Sequence, residues 1–420
     1  MIQELKQGIQ KHAPALEQWF EARKAGLKLS LYASVDIRNS HDKICLVDTN
    51  AFPAGFNNLC RHGRDDLPET LAGFLEQNFP GARRLLLLPE AHTRNPPYLE
   101  NVRALAQAFQ TAGFDLRIGT LLEPGASGPI RLPALSGDVE CFSLTRAADR
   151  VRAGEFEPDL VISNNDFRAG LPEILQGIAQ PMAPLGELGW YRRKKSDHFR
   201  LLNPLLAEFA DLIGIAPRRL VPLTDYHPDA DFETAAGREA LAIKVEALLA
   251  RLHEPPPDPR PSQGADQPFV FIKDNSGTYG MAIMTVTSGD EVRRASHRTR
   301  TKMKLGKGRA PVKEVILQEG IVTGDSLAGC PMEPVIYLVG DQPVGGFFRV
   351  HCQRTDRQNL NVQGMTFETL CFHEVEGQPQ EVIDDQCGSP ADLFLVYGTL
   401  GRIATLALAM EVKEITSGQT

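Results

Sequence analysis

A proline-rich segment, EPPPDPRPSQGADQP at residues 254–268, interrupts the chain and limits what it can fold into. Proline fixes its own backbone angle and lacks an amide proton, and the polar residues around it offer no apolar surface to bury. No helix or strand is expected there. At 420 residues the chain is also longer than one hydrophobic core usually serves. We therefore predict two units, residues 1–253 and 269–420, joined by a linker over 254–268.

Composition excludes several classes of protein. Hydrophobic residues make up 42% of the chain, which is too many for a largely disordered protein. The formal net charge of -8 gives no general attraction to nucleic acid or to an anionic membrane, so neither is expected as a partner. A phosphate ligand would therefore need a local basic site.

The seven cysteines lie far apart and form no CxxC pair. The simplest interpretation is a set of reduced thiols in a cytoplasmic protein. One segment, residues 393–410, approaches the length of a membrane span, but Arg402 lies in its middle and favours a buried helix. These features predict a soluble, cytoplasmic chain.

Short apolar runs alternate with helical patterns in the first unit. Residues 43–48, 83–90 and 158–166 are typical of strands, and residues 101–113 are typical of a helix. This alternation predicts an α/β sheet with helices on its faces.

Polar residues follow these runs in segments 48–58, 89–98 and 163–167, where strands are predicted to end. Ligands of open α/β sheets usually bind at that edge, so the three segments could converge on one crevice. Ordinary turn chemistry is the alternative for any single polar residue there.

Residues 186–200, GELGWYRRKKSDHFR, concentrate Arg and Lys within an acidic chain. The segment is either a solvated helix face or an anion-binding patch. Trp190, Tyr191 and Phe199 indicate that one side of it is buried. Both interpretations stay open at this stage.

The second unit begins with FVFIKDNSGTYGMAIMTV, residues 269–286, which reads as a strand, a glycine turn and a second strand. A helix is then predicted at about 290–303, a strand at 312–322, extended runs over 333–351, a loop at 359–365 and a final helix at 391–410. Glycines let the backbone approach a ligand closely, and Lys273 adds a positive charge at the same place. Together they describe a phosphate clamp; a plain β-hairpin turn is the alternative.

Two standard nucleotide motifs are absent from the sequence: no GK pair precedes Ser or Thr, and no GxGxxG occurs. Other residues favour a nucleotide site all the same. Gln318 and Glu319 end an apolar strand and could hold the polar edge of a base and a ribose. Arg349 follows, and then Asn359 and Asn361, which are suitable oxygen ligands for Mg²⁺.

This order of lysine strand, glycine loop, acidic strand, arginine and asparagine resembles the ATP-grasp fold. From about residue 32 to 410, the sequence also resembles the proteobacterial glutamate-cysteine ligase family of the ATP-grasp-like type. The further motifs that carry this resemblance are YASVDIRN, VDTNAFPAGFNNL, PEAHTRN, NNDF, GWYRRKKSDHF and NLNVQGM. It departs from the family in having DNS after Lys273 and Ala282 where glycine is common. An acidic strand ending in Glu-x-Asn, the usual metal site of ATP-grasp enzymes, does not follow residues 359–365.

The resemblance implies both a fold and a reaction. The fold is α/β and α+β, with an N-terminal α/β substrate domain followed by an ATP-grasp-like nucleotide-binding domain. The reaction joins the side-chain carboxyl of L-glutamate to the amine of L-cysteine, through an acyl phosphate, and gives γ-glutamylcysteine, ADP and phosphate. This is the first step of glutathione biosynthesis. The expected partners are these small molecules with ATP and Mg²⁺, and the oligomeric state is open.

The resemblance also implies roles for individual residues. Lys273 and Arg349 would be catalytic, Arg349 by stabilising charge on the transferring phosphoryl group. The residues expected at ATP are Lys273, Ser276, Gly277, Thr278, Tyr279, Gly280, Gln318 and Glu319. Those expected at Mg²⁺ are Glu333, Asn359 and Asn361. The candidates for the amino acid substrates are Arg38, Asn50, Asn57, Asn58, Arg94, Arg192, Arg193 and Lys194, because carboxylates bind arginine and amide donors.

Two other functions remain open from the sequence. One is a different ATP-grasp carboxylate-amine ligase, similar to glutathione synthetase. The other is a regulatory protein that binds ATP without turnover, for which the missing acidic strand is the supporting feature.

Overall fold

The structure, a computed structural model, describes residues 1–91, 95–122, 128–253, 267–277, 280–306, 311–370 and 389–418. Its helices are α1 (Ile2–Lys11), α2 (Ala13–Lys24), α3 (Arg61–Asn78), α4 (Pro96–Thr111), α5 (Lys195–Leu212), α6 (Ala235–His253), α7 (Gly289–Arg293), α8 (His297–Lys304) and α9 (Pro390–Ser417). Its strands are β1 (Tyr32–Asn39), β2 (Ile44–Asn50), β3 (Arg84–Pro89), β4 (Asp115–Thr120), β5 (Ile130–Pro133), β6 (Asp138–Ala147), β7 (Arg150–Ala153), β8 (Leu160–Asn164), β9 (Met182–Ala183), β10 (Thr224–His227), β11 (Val270–Asp274), β12 (Ile283–Val286), β13 (Val315–Glu319), β14 (Ser326–Leu327), β15 (Cys330–Val339), β16 (Gln342–Val350) and β17 (Thr366–Leu370).

The first unit contains a seven-stranded sheet, ordered β5-β6-β4-β3-β8-β9 with β7 against β6. Strand β3 pairs in parallel with β4 and with β8. Leu85 and Leu87 of β3 pack in one core cluster, and Leu86 and Leu88 pack in another. Burial on both faces is expected for a parallel strand. The α/β sheet predicted for this part of the chain is therefore present.

A second sheet, the central sheet, joins the two ends of the sequence. Its order is β17-β16-β15-β1-β2, with β14 against β15. Strand β1 runs antiparallel to β15, from Tyr32 opposite Val339 to Asp36 opposite Val335. Strands from both predicted units thus share one sheet, although the sequence predicted no pairing between them.

Helices α1, α5 and α9 contribute to the hydrophobic core over one face of the central sheet. Helix α9 is long and apolar enough to cross a membrane by length and composition, but it is mostly buried within the chain. Arg402, in its middle, donates to Glu17 at 3.0 and 3.1 Å and lies 4.1 Å from the ring centroid of Phe20. The helix is therefore a core helix, as the position of Arg402 predicted.

A third sheet, the hairpin sheet, has the order β10-β13-β11-β12. Strands β11 and β12 form the predicted hairpin around the glycine turn, with Lys273 opposite Ile283. The single helix predicted at about 290–303 is wrong, because the structure has two helices there, α7 and α8. Ser296 accepts a hydrogen bond from the backbone N–H of Thr299 and so begins a new helix.

Cys330 and Cys352 form a disulfide, which corrects the expectation that the cysteines are all reduced. The β15–β16 register places Met332 opposite Val350, so these cysteines lie opposite one another at the end of the hairpin. Their Cα atoms are 4.4 Å apart. The pairing depends on strand register, which the spacing of cysteines in the sequence does not reveal. The remaining cysteines are Cys45, Cys60 and Cys141, which are free and buried, and Cys371 and Cys387, which lie outside the described residues.

A buried ionic network joins α5, α9 and β2. Glu411 accepts a hydrogen bond from Arg193 Nε at 2.7 Å and lies 2.5 Å from His198 Nδ1. The other ring nitrogen of His198 is 2.8 Å from Thr49 Oγ1. Burial opposes ionisation of Glu411, but Arg193 and His198 outweigh it and lower its pKa to about 2. The network therefore fixes the start of α5 against the end of β2.

We expect Glu411→Gln to lower the free energy of unfolding at pH 7 by about 3 to 5 kcal/mol, because it leaves Arg193 buried and unpaired. Folding lowers the pKa of Glu411 from its ordinary 4.5, so its contribution is present above pH 4.5 and is lost as the pH falls towards 2. The free energy of unfolding, measured with urea across this pH range, should fall less in the variant than in the wild type as the pH is lowered. The control is Glu414→Gln, which breaks a more exposed pair with Arg200 and should cost less than about 1 kcal/mol. Equal losses in the two variants would contradict this account.

Candidate active site

A narrow cavity lies between the central sheet and the β11–β12 hairpin. Its lining residues are Asp36, Arg38, Val47, Asp48, Lys195, Phe271, Lys273, Asp274, Gly277, Gly280, Met281, Ile283, Glu333, Asn359 and Asn361. The predicted site residues among them are Arg38, Lys273, Gly277, Gly280, Glu333, Asn359 and Asn361. The fold thus brings together residues from both predicted units at one place.

Lys273, near the end of β11, lines this cavity. Its ammonium group donates to the carbonyl oxygen of Val47 at 3.2 Å and to Gln318 Oε1 at 2.5 Å. It also lies 5.4 Å from the ring centroid of Phe271. Desolvation lowers the pKa of Lys273 to about 8, although the charge of Asp48 opposes this shift. An anion bound beside the lysine would favour its charged form.

The glycine turn packs tightly against the loop that carries Asn359 and Asn361. Gly280 has a φ of +65°, and a Cβ atom there would lie 2.1 Å from the carbonyl oxygen of Asn361. Asn359 Nδ2 donates to the carbonyl oxygen of Gly280 at 3.3 Å. Glycine is required at position 280 by this close approach. Ala282, which stands where the family commonly has glycine, also has a left-handed φ of +50°.

Two aspartates of the β1–β2 hairpin lie near Lys273, and their Cα atoms are directly paired across the strands. Asp48 accepts a hydrogen bond from Lys195 Nζ at 2.5 Å. Burial opposes ionisation of Asp48, but Lys195 and Lys273 outweigh it and lower its pKa. Burial raises the pKa of the second aspartate, Asp36, and the negative charges of Glu333 and Asp48 add to the shift. Within the described ranges, no three His, Cys, Asp or Glu side chains form a group that could hold a metal ion by themselves.

Arg38, Glu333 and Arg349 form a buried chain of ion pairs. Glu333 accepts from Arg38 Nε at 3.1 Å and from an Arg349 terminal nitrogen at 2.5 Å. The same Arg349 nitrogen donates to Asp36 at 3.1 Å. Other Arg38 nitrogens reach the carbonyl oxygens of residues 321 and 358 at 3.0 and 2.5 Å. Both arginines therefore hold carboxylates of the cavity wall in this structure, and their predicted contacts with substrates stay predictions.

Gln318 and Glu319, predicted to contact the nucleoside, lie at the end of β13. Gln318 is buried and accepts the hydrogen bond from Lys273. Glu319 accepts from Lys43 Nζ and from the backbone N–H of Leu223, each at 2.8 Å. Neither is among the residues that line the cavity. Their assignment to the nucleoside stays a prediction.

The basic segment 186–200 is packed into the fold. Arg193 pairs with Glu411 as described above, and Lys194 lies 3.3 Å from Glu314. Arg192 donates to a backbone carbonyl of α9 at 3.5 Å. Lys195 reaches the cavity, and its ammonium group also lies 4.5 Å from the ring of Trp190. The segment is therefore largely interior, and Lys195 is the basic residue it contributes to the cavity lining among those described.

The predicted amide residues of the first unit bond within their own loop. Asn50 accepts from the backbone N–H of Phe52 at 3.0 Å, and Asn57 donates to Asn58 at 2.9 Å. Asn164 donates to the carbonyl oxygen of Pro53 at 2.8 Å, so segments 48–58 and 163–167 do meet. None of these asparagines is among the cavity-lining residues of the described chain. The predicted residues Arg94, Thr278 and Tyr279 lie outside the described residues.

Sequence reasoning missed four charged residues of the cavity: Asp36, Asp48, Lys195 and Asp274. A signal for two of them was present. Asp48, Thr49 and Asn50 end an apolar strand as an acidic-x-Asn sequence, and Asp36 lies on the strand that pairs with it. The order of an ATP-grasp enzyme predicts such a strand after the glycine turn, whereas this fold supplies it from the N-terminal part of the chain.

Comparison with known proteins identifies the family of this chain. The family model GshA, glutamate-cysteine ligase, matches residues 6–412. A crystal structure from Methylobacillus flagellatus KT, provisionally assigned as a gamma-glutamylcysteine synthetase, is 37% identical with a TM-score of 0.84, and the match covers 98% of this chain and 96% of that one. Among curated protein sequences none matches the chain.

A D-alanyl-alanine synthetase A from Vibrio cholerae O1 is also similar over 74% of this chain and 80% of that one. Its identity of 10% and TM-score of 0.32 are too low to support any argument. The family match and the Methylobacillus structure each cover nearly all of the chain. The chain therefore belongs to the GshA family of glutamate-cysteine ligases, and it is an enzyme that joins glutamate to cysteine.

Proposed function

We propose that ligation takes place in the cavity between the central sheet and the hairpin, with ATP and Mg²⁺. One observation carries the proposal: Lys273 and the glycine turn share this cavity with the carboxylates Asp36 and Asp48. A lysine with glycine backbone suits phosphate oxygens, and carboxylates suit Mg²⁺. The phosphates and the metal ion of a magnesium nucleotide would thus meet complementary groups in one cavity.

ATP would supply the phosphoryl group that turns the side-chain carboxylate of glutamate into an acyl phosphate, which the amine of cysteine can attack. The protein's part is to hold these anions together, neutralise their charge and exclude water. Lys273 and Lys195 are the cavity lysines suited to phosphate oxygens. Asp48 orients Lys195 through a 2.5 Å hydrogen bond. Gln318 and Glu319, beside Lys273, remain our proposed nucleoside contacts.

The donors in the cavity fit Mg²⁺. This ion is usually held by one or two protein carboxylates, with phosphate oxygens and water as its other ligands. Asp36 and Asp48 are two such carboxylates on paired strands. The raised pKa of Asp36 also fits, because a cation beside this buried carboxyl would stabilise its ionised form.

Glu333, Asn359 and Asn361 were the metal ligands expected from the sequence, and all three line the cavity. Both oxygens of Glu333 accept hydrogen bonds from arginines in this structure. We therefore propose Asp36 and Asp48 as the principal metal-facing groups. The two asparagines remain proposed ligands, and we assign Glu333 to holding Arg38 and Arg349.

The affinity for ATP is expected to fall as the pH rises through about 8, because Lys273 loses its proton near that pH. The cationic form, which binds phosphate, is present below the pKa. The KM for ATP, measured from about pH 7 to pH 9.5, should therefore rise at the alkaline end. Lys273→Arg keeps the charge throughout this range and should remove the rise. A wild-type KM that is independent of pH would exclude Lys273 as the titrating contact.

Substrate pairs test the proposed function directly. Phosphate release with glutamate plus cysteine should exceed release with γ-glutamylcysteine plus glycine by at least about 100-fold. Faster release with the second pair would indicate a glutathione synthetase-like enzyme. ATP binding without release for either pair would indicate a regulatory protein.

We also propose that the central sheet and the hairpin sheet together form the ATP-grasp-like nucleotide unit, next to an N-terminal α/β substrate domain. The division of the chain at 254–268 remains part of this proposal, and residues 254–266 lie outside the described residues. A cytoplasmic location is proposed because ATP and both amino acids are available there. The oligomeric state stays open, with a homo-oligomer as one option.

A further inference from the structure

We propose that Arg168, in the loop after β8, is a positioning residue that holds the glycine turn in the shape that binds ATP. Arg168 does not line the cavity and is not expected to touch the nucleotide. It acts through Asp274 and Ser276, which begin the turn. The inference rests on the proposed function, because it concerns the turn to which we assign the phosphates.

The guanidinium group of Arg168 makes two contacts with the turn. One terminal nitrogen donates to Asp274 Oδ2 at 2.8 Å, and the other donates to the carbonyl oxygen of Ser276. The side chains of Arg168 and Asp274 are 12% and 4% exposed, so water competes little for this pair. The other oxygen of Asp274 accepts the backbone N–H of Ser276 at 3.1 Å. Arg168 therefore fixes both the side chain and the backbone of the turn.

The loop that carries Arg168 is itself held in shape. Phe167 is buried and has a left-handed φ of +44°, which is unusual for a residue other than glycine. Its backbone N–H donates to Asn165 Oδ1 at 2.9 Å, and the N–H of Arg168 donates to Asp166 Oδ1 at 3.2 Å. A bulky residue in this conformation indicates a loop whose position matters. Arg168 is thus presented to the turn from a fixed support.

A second support holds the opposite side of the turn. Ser276 Oγ donates to the carbonyl oxygen of Arg193 at 3.3 Å, and Asn275 O accepts the backbone N–H of Lys195 at 2.8 Å. This support consists of neutral hydrogen bonds with residue 193 and with the start of α5. The support from Arg168 is charged, and it reaches Asp274, which directly follows Lys273 in the sequence.

The positive charge of Arg168 has a second effect, on the electrostatics of the cavity. Asp274 lines the cavity next to the proposed phosphate site, where an unneutralised carboxylate would repel a triphosphate. The contact with Arg168 neutralises it. Loss of Arg168 should therefore weaken ATP binding both by loosening the turn and by exposing a negative charge.

The test uses steady-state kinetics of the full-length enzyme. Arg168→Met should raise the KM for ATP about tenfold or more, while the KM values for glutamate and cysteine change less than about twofold. The matched control is Arg219→Met, which breaks an arginine–carboxylate pair with Glu4 that does not involve the cavity. This control should leave all three KM values unchanged. Unchanged KM for ATP in Arg168→Met would overturn the proposal.

Two further variants separate positioning from general damage to the fold. Arg168→Met/Asp274→Asn removes the exposed carboxylate, so its KM for ATP should be lower than that of Arg168→Met. Arg168→Ala should regain ATP affinity on addition of methylguanidinium, which can occupy the vacated space. An equal rise in every KM without rescue would show a merely structural role and would also overturn the proposal.

Failure of this inference can be told apart from failure of the proposed site. If Lys273→Met loses ATP binding and Arg168→Met does not, only the role of Arg168 is wrong. If both variants bind a non-hydrolysable ATP analogue as the wild type does, the phosphate site itself is wrong.

Discussion

Lys273→Ala is expected to lower kcat/KM for ligation by about 10³-fold, while the protein remains folded. The side chain supplies a positive charge at the proposed phosphates, and two neighbouring oxygens, Val47 O and Gln318 Oε1, hold it in place. Removal of the charge leaves the transferring phosphoryl group less stabilised, so kcat should fall together with affinity for ATP. Phosphate release with glutamate and cysteine provides the measurement.

The fold should tolerate this change, because Lys273 lies at a cavity wall and belongs to none of the hydrophobic clusters. Thermal unfolding is the check. The Tm of the variant should stay within a few degrees of the wild-type Tm, because each kcal/mol lost shifts Tm by about 4 to 8 °C in a small domain and by less in a chain of this size. Lys244→Ala, which removes a lysine of α6 that pairs with Asp225 and does not line the cavity, is the control and should keep most of its activity. Full activity in Lys273→Ala would refute the phosphate clamp.

Asp48→Asn is expected to have the second largest effect, a loss of about 10²-fold or more in kcat at a fixed Mg²⁺ concentration. The substitution removes a metal-facing charge and also the ionic partner of Lys195. Because an amide binds Mg²⁺ more weakly than a carboxylate does, the concentration of Mg²⁺ at half-maximal activity should rise. A titration of activity against Mg²⁺ at saturating ATP measures this shift.

Asp341→Asn is the matched control for Asp48. Asp341 lies beyond the end of β15 in the same central sheet and pairs with Lys24 rather than with cavity residues. Its replacement should leave the Mg²⁺ dependence unchanged. If Asp48→Asn and Asp341→Asn respond alike to Mg²⁺, the metal must be held elsewhere.

Local elements of the fold could be predicted from the sequence because their signals are local. The leucine run of β3 and the β11–β12 hairpin with Lys273 each depend on residues close together in the chain. The burial of α9 could be predicted as well, since Arg402 cannot face lipid cheaply. These elements required periodicity and turn chemistry alone.

Pairings between distant segments could not be predicted in this way. Nothing in the local sequence of β1 indicates that Asp36 pairs with Val335 of β15 or that it lies near Lys273. The acidic-x-Asn sequence that begins at Asp48 likewise joins the cavity through the fold and not through its position in the chain. The disulfide between Cys330 and Cys352 likewise depends on the register of β15 and β16.

Side-chain roles were the least predictable part of the site. Arg38 and Arg349 suggested contacts with anions, yet in this structure both are bonded to Glu333 inside the protein. A charged side chain in a sequence can neutralise another buried charge as readily as it can bind a ligand. Which of these it does depends on what the fold places beside it.

A crystal structure of the full chain with a non-hydrolysable ATP analogue and Mg²⁺ tests the central claim most directly. We expect the triphosphate within hydrogen-bonding distance of Lys273 Nζ and of the backbone of the glycine turn, with the metal on the side of Asp36 and Asp48. Nucleotide bound at another place, with this cavity empty, would contradict the account.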